Sequence, residues 1–202
     1  RMICVIGAGG AGKTYSTCAF FLLQWLTDPE WTRVQVASAS ADHLQKNSWG
    51  DIVRLYEGSS LKLPGKLDTE SISLNKKRAQ GIFTLILPGG PESKGKLKGS
   101  HTKPRPVHPK FGRRSRVFCL VDEAQEVPQN IFAEIPNRFS TVVGDDVDHI
   151  KFVLTANPKN IFSEFGQCAK PVGGWDSIGR AHETWESALG WTVVSLDATQ
   201  HE

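Results

Sequence analysis

The 202-residue chain has only four cysteines, and none belongs to a C-x-x-C pair. Cys4 and Cys119 lie inside apolar runs. The pattern excludes a zinc ribbon or a disulfide framework and predicts buried, reduced thiols, as in a cytosolic protein. The six histidines form no H-E-x-x-H or H-x-E motif. His43, His101, His108, His149, His182 and His201 are scattered, so they read as surface or loop positions. Long apolar runs are missing too. The longest, Cys18 to Leu26, is broken by Gln24 and falls well short of the roughly 20 residues of a membrane span. There is no leader pattern and no internal repeat. Between Lys94 and Arg116 acidic residues are absent, while nine of the chain's 24 basic residues fall there. The formal charge of +3 therefore hides a mildly acidic body carrying one basic segment.

What is present begins with Gly7–Thr14, GAGGAGKT, which fits the phosphate-loop pattern (Walker A) G-x-x-x-x-G-K-S/T. An apolar run, Met2–Ile6, precedes it, and a helix is predicted over Lys13–Leu26. A strand that ends in a glycine turn and opens a helix aims successive backbone N–H groups at one anion. Gly7, Ala8, Gly9, Gly10, Ala11, Gly12, Lys13 and Thr14 are thus the candidate nucleotide-binding residues. Lys13 reaches β- and γ-phosphates, and the Thr14 hydroxyl ligates Mg²⁺. The expected ligands are ATP and Mg²⁺.

Two further apolar runs end in polar residues. Val117–Val121 leads into Asp122-Glu123, the Walker B arrangement. A carboxylate at Asp122 would sit beside the cation on Thr14, usually through water, and Glu123 would polarise the attacking water. The plain alternative is a solvated acidic turn. Phe152–Asn157 would bring Asn157, or Thr155, beside the γ-phosphate; the alternative is an Asn-Pro turn. Val36–Ser40 ends in small hydroxyl residues that either cap a helix or touch a nucleic-acid track. The segment 88–116 is rich in Gly, Pro and Lys and has no period, which predicts a long loop. Between Lys94 and Arg116 its sole aromatic is Phe111, so base stacking is not indicated. Lys96, Lys98, Lys103 and Arg105 are candidate contacts to DNA phosphates; a solvated loop is the alternative. Arg113, Arg114, Arg116 and Arg138 are candidate arginine fingers. Trp175, Trp185 and Trp191 read as core anchors.

The coarse pattern adds strands at Val34–Ala37, Phe152–Thr155 and Trp191–Leu196 and one helix over Asp42–Tyr56. A hairpin or pair of edge strands is expected from Ser71–Leu74 and Ile82–Leu87, and a short helix over Asn130–Phe139. Continuous apolar strands separated by helices predict a parallel sheet covered on both faces, with ligands at its carboxyl edge. The hydrophobic content, 39%, suits one domain over 1–202. Arg1 stands directly before the first strand and Glu202 just after the last, so truncation at both ends is expected.

The runs Thr32–Ser38 and Trp49–Val53, VDEAQEVP at Val121–Pro128, IPNRFS at Ile135–Ser140 and TANP at Thr155–Pro158 resemble large terminase subunits. These are ATP-driven motors that package double-stranded DNA into viral capsids, chiefly of tailed bacteriophages. Gly190–Ala198 resembles the end of that ATPase domain. The resemblance implies an α/β, three-layer P-loop NTPase with a mostly parallel sheet, of the additional-strand, catalytic-glutamate type. It implies Mg²⁺ near Asp122, catalysis by Glu123 with Lys13, and coupling through Thr155–Asn157. It further implies a homo-oligomeric ring on the portal protein of a procapsid, a small terminase subunit as partner, and the cytoplasm of an infected host cell. The arginine that many terminases carry inside the phosphate loop has no counterpart in Gly9-Gly10-Ala11. The family's nuclease domain would lie after residue 202, so no DNA cleavage is expected. A helicase-like or AAA+ remodelling ATPase is the alternative, since DEAQ is close to a helicase box. A nucleotide-dependent binding module with little turnover is a second, and a small-molecule kinase a third, which would need neither Glu123 nor the basic loop.

Overall fold

The computed structural model describes residues 2–74, 80–87, 116–128, 131–132, 150–157, 160–179 and 183–196. Strand β1 (Met2–Gly7) runs through the phosphate loop into helix α1 (Lys13–Leu26). There follow β2 (Thr32–Ser38), α2 (Ala41–Lys46), α3 (Ser48–Glu57), β3 (Lys66–Asp68), β4 (Ser71–Ser73) and β5 (Gly81–Ile86). The second half holds β6 (Arg116–Asp122), β7 (Ile150–Ala156), α4 (Glu164–Ala169), β8 (Thr184–Glu186) and β9 (Thr192–Leu196).

Among the described residues the strands form one sheet in the order β3-β4-β5-β2-β6-β7-β1-β9-β8. From β5 to β9 every neighbouring pair is parallel, and antiparallel β4 and β8 flank that core. β7 lies between β6 and β1, so an additional strand separates the Asp-Glu strand from the phosphate-loop strand. This is the mostly parallel P-loop NTPase architecture that the sequence predicts.

Strand side chains alternate between faces, and the buried residues sort accordingly. Val34, Val36, Phe118, Leu120 and Val153 pack with α1, α2 and α3. Cys4, Ile6, Cys119, Val121, Phe152 and Leu154 pack on the opposite face with Phe165, Cys168 and Ala169 of α4. On α1 the buried Cys18, Phe21, Leu22 and Trp25 recur at i, i+3, i+4 and i+7, the stripe of a one-sided helix. Full burial of an apolar side chain of this size contributes about 1.5–3 kcal/mol. The tryptophan reading holds: Trp191 is buried, and Trp175 and Trp185 pack against the same cluster. All four cysteines are buried and none forms a disulfide.

One local expectation needs correction. The single helix over Asp42–Tyr56 is two helices, because Asn47 leaves helical geometry (φ −103°, ψ −90°). Asn competes poorly for helix interiors, since its amide finds local partners; here it bonds the His43 ring at 2.9 Å. The hairpin forms from β4 and β5, but β5 is not at an edge, since it also pairs with β2. The short β3, β8 and α4 carry too few residues for a visible period. Of the helix expected over Asn130–Phe139, Ile131 and Phe132 are helical and the remainder lies outside the described residues.

Candidate functional site

Gly7 ends β1 where β9 passes so close that a Cβ would meet the Leu196 carbonyl oxygen at 2.7 Å. Gly10 and Gly12 have left-handed backbones (φ 83° and 73°), which glycine adopts without steric cost. A Cβ on Gly9 or Gly10 would meet nothing within 4 Å, and both glycines line an open cavity. Helix α1 starts with no side-chain cap and no acidic residue in its first turn. Its positive end therefore faces the loop uncompensated.

The Lys13 side chain folds back under the loop. Its ammonium donates to Gly7 O at 2.8 Å, to Ala8 O at 2.7 Å and to Asn157 Oδ1 at 3.0 Å. Burial lowers the Lys13 pKa, and the Glu123 and Asp122 carboxylates oppose that shift.

Asp122 ends β6 on the α1 side of the sheet and is 1% exposed. Three hydroxyls donate to it: Thr14 at 3.1 Å, Thr155 at 2.5 Å and Ser48 at 2.5 Å. Alternation explains the meeting with Thr155. Val121 pairs with Leu154 across β6 and β7, so the next residues of both strands point to the same face. Ser48 arrives because the break at Asn47 turns the start of α3 toward the sheet. Sequence patterning missed Ser48, which falls in the middle of the single helix expected over Asp42–Tyr56.

Glu123 is the one described non-glycine residue with positive φ (52°). The left-handed turn takes its carboxylate off the line of the strand. The Gln125 amide donates to its Oε2, and His43 Nε2 lies 3.5 Å from its Oε1. Gln125 Oε1 in turn accepts from the Asn157 N–H at 3.1 Å. His43 stays partly exposed, as a surface position would, yet faces this site from α2, whose start Ser40 caps by accepting from the His43 N–H.

Two open cavities meet along Asn47, Glu123 and Asn157. One, about 290 Å³, is lined by Gly9, Gly10, Lys13, Thr14 and Asp122. The other, about 490 Å³, lies over the end of β2 and is lined by Ser38, Ser40, His43 and Glu126. Among the described residues no three His, Cys, Asp or Glu side chains converge as a metal cluster. The donor set of Thr14 and Asp122 is all oxygen, as a hard cation requires. Protein hydroxyls occupy both Asp122 oxygens, which fits a hold through water.

The sequence-selected Lys13, Thr14, Asp122, Glu123, Thr155 and Asn157 thus converge. Arg116 does not: it starts β6, at the opposite end from Asp122, and its guanidinium donates to Thr32 Oγ1, Gln24 O and Thr27 Oγ1. Lys96, Lys98, Lys103, Arg105, Arg113, Arg114 and Arg138 lie outside the described residues.

The sequence matches no protein-family model and no curated protein. The structure is similar to two crystal forms of the large terminase of a thermophilic bacteriophage. One has a TM-score of 0.57 at 15% identity, covering 96% of this chain and 39% of that one. The other, solved in complex with ADP, has a TM-score of 0.57 at 13% identity, covering 96% and 40%. The chain therefore spans about two fifths of the length of the terminases it matches. At such identity the likeness establishes a terminase-like fold.

Proposed function

We propose that this chain is the ATPase domain of a motor that moves double-stranded DNA, of the large-terminase kind. The observation that carries the reading is the convergence of a buried lysine, a hydroxyl–carboxylate pair and a second carboxylate at the carboxyl edge of one parallel sheet. The similar terminase solved with ADP supports nucleotide as the ligand.

The open loop and the start of α1 would take the phosphates with backbone N–H groups. Lys13 would exchange its carbonyl partners for phosphate oxygens, and Asn157 would meet the terminal phosphate. Thr14 and Asp122 would hold Mg²⁺, which when bound supplies charge neutralisation between phosphate oxygens. Ser48 and Thr155 keep the Asp122 carboxylate aimed. Glu123 would orient the attacking water and accept its proton. Any positive charge beyond Lys13 would come from another part of the chain or another subunit, with Arg113, Arg114 and Arg138 as candidates. Lys96, Lys98, Lys103 and Arg105 would contact DNA phosphates without reading sequence. A homo-oligomeric ring, a portal protein, a small terminase subunit and transient residence on a procapsid in the host cytoplasm belong to the same proposal.

The test is ATP hydrolysis with and without double-stranded DNA. Hydrolysis should rise with DNA and vanish in Lys13→Ala. Glu123→Gln should still bind ATP but turn over slower by about 100-fold or more. Wild-type turnover in Glu123→Gln would remove the catalytic assignment. Nucleotide binding without any turnover would favour the binding module instead.

A further inference from the structure

Gln125 is left over from the mechanism, and its side chain does two things at once. Its Nε2 donates to Glu123 Oε2, and its Oε1 accepts from the Asn157 N–H at 3.1 Å. The side chain of Asn157 meanwhile accepts from the Lys13 ammonium at 3.0 Å. One line of contacts therefore runs from the phosphate-loop lysine, through the end of β7, to the carboxylate of Glu123.

Gln125 is not needed to build its own turn. The 3-10 turn Ala124–Glu126 closes through backbone bonds from Glu126 N to Glu123 O at 2.9 Å and from Val127 N to Ala124 O at 3.2 Å. Ala124 and Val127 anchor that turn in the core, whereas Gln125 is only half-buried. Both ends of its amide are spent on bridging.

Glu123 itself holds a strained backbone. It occupies the left-handed region (φ 52°), a conformation that a non-glycine residue holds only when its surroundings fix it. Gln125 contacts one carboxylate oxygen, and His43 stands 3.5 Å from the other. An anion on the phosphate loop competes for the Lys13 ammonium and so removes or shifts the partner of Asn157.

Resting on the proposed ATPase reading, we infer that Gln125 is a positioning residue that ties the Glu123 carboxylate to the end of β7. Glu123 then turns toward or away from the phosphates as Asn157 moves. The ligand state of the loop is thereby read out in the aim of the general base.

Gln125→Ala and Gln125→Glu test this. Neither replacement can bridge an N–H to a carboxylate. Both should lower kcat by about tenfold or more, the cost of misaiming a catalytic group, while KM and the Kd for MgADP stay within about twofold. An unchanged kcat overturns the inference. A fall in Tm together with weakened MgADP binding also overturns it, because it marks a structural role. A second readout needs no turnover. The Gln125 side-chain amide resonance, identified by its loss in Gln125→Ala, should shift on adding MgADP and in Lys13→Ala. A resonance indifferent to both overturns the coupling. If the protein hydrolyses no ATP while the resonance still follows MgADP, the hydrolysis reading fails and the coupling stands.

Discussion

Asp122 carries its carboxylate into a position 1% exposed, where its closest partners are the neutral hydroxyls of Thr14, Ser48 and Thr155. The nearest ionisable nitrogen among the described residues, His43 Nε2, is 3.7 Å away. Hydroxyl donors satisfy its lone pairs, but its desolvated charge is met by the Lys13 ammonium only at longer range. Asp122→Asn keeps the shape and removes the charge. The ligand-free protein should then melt about 2–4 °C higher, equivalent to about 1 kcal/mol in a chain of this size. The further rise in Tm that MgATP gives the wild type should shrink or disappear. A variant less stable than wild type without ligand would mean that the three hydroxyls require the carboxylate itself. Lys13 shows the complementary case, since burial lowers its pKa and two carboxylates hold it up.

At the scale of the element, geometry decides where each strand can go. Gly81 starts β5 at φ 144°, and a Cβ there would meet the Ile72 carbonyl oxygen at 2.2 Å. That approach lets β4 cross back antiparallel onto β5 while β5 pairs in parallel with β2. Gly81→Ala should cost about 2–4 kcal/mol, as a substitution that combines backbone strain with a backbone clash, measured by urea unfolding. A loss under about 0.5 kcal/mol, the range of a neutral surface change, would mean that β4 simply gives way. The split of α2 from α3 is another decision of geometry. Periodicity over Asp42–Tyr56 reads as one apolar face, yet Asn47 interrupts it, and the interruption delivers Ser48 to Asp122.

Among the described residues the molecule is one sheet between two apolar layers, and each layer holds at least one thiol. Cys18 lies on the α1 side, while Cys4, Cys119 and Cys168 lie on the α4 side. Burial pushes the Cys4 and Cys18 thiols up, and the Cys168 thiol up to about 12, with Glu164 adding to the last. A raised thiol pKa leaves almost no thiolate at neutral pH, and the thiolate is the reactive form. Iodoacetamide at pH 8 should therefore leave the native protein unlabelled for long periods. In rising urea all four cysteines should become reactive in one transition, since both layers share the sheet. Labelling of Cys18 well before the others would show that the two layers unfold separately.

Sequence alone determined the local chemistry. GAGGAGKT announces its turn because only glycine takes φ near +80° freely, and the runs ending at Asp122 and Asn157 announce buried strands because parallel strands are apolar on both faces. Their common edge followed from the parallel order. The tertiary structure alone decided which side chains meet across that edge. Ser48 and His43 have no spacing relation to Lys13 or Asp122, and nothing in their own segments marks them; Gln125 lies in the marked VDEAQEVP run, but its bond to the Asn157 N–H is not legible there. All three reach the site through the strand order β2-β6-β7-β1, the break at Asn47 and the left-handed turn at Glu123. Those contacts are long-range, with 74 residues between Ser48 and Asp122 and 144 between Lys13 and Asn157. Local propensity carries no information over such separations, and packing of the two layers supplies it.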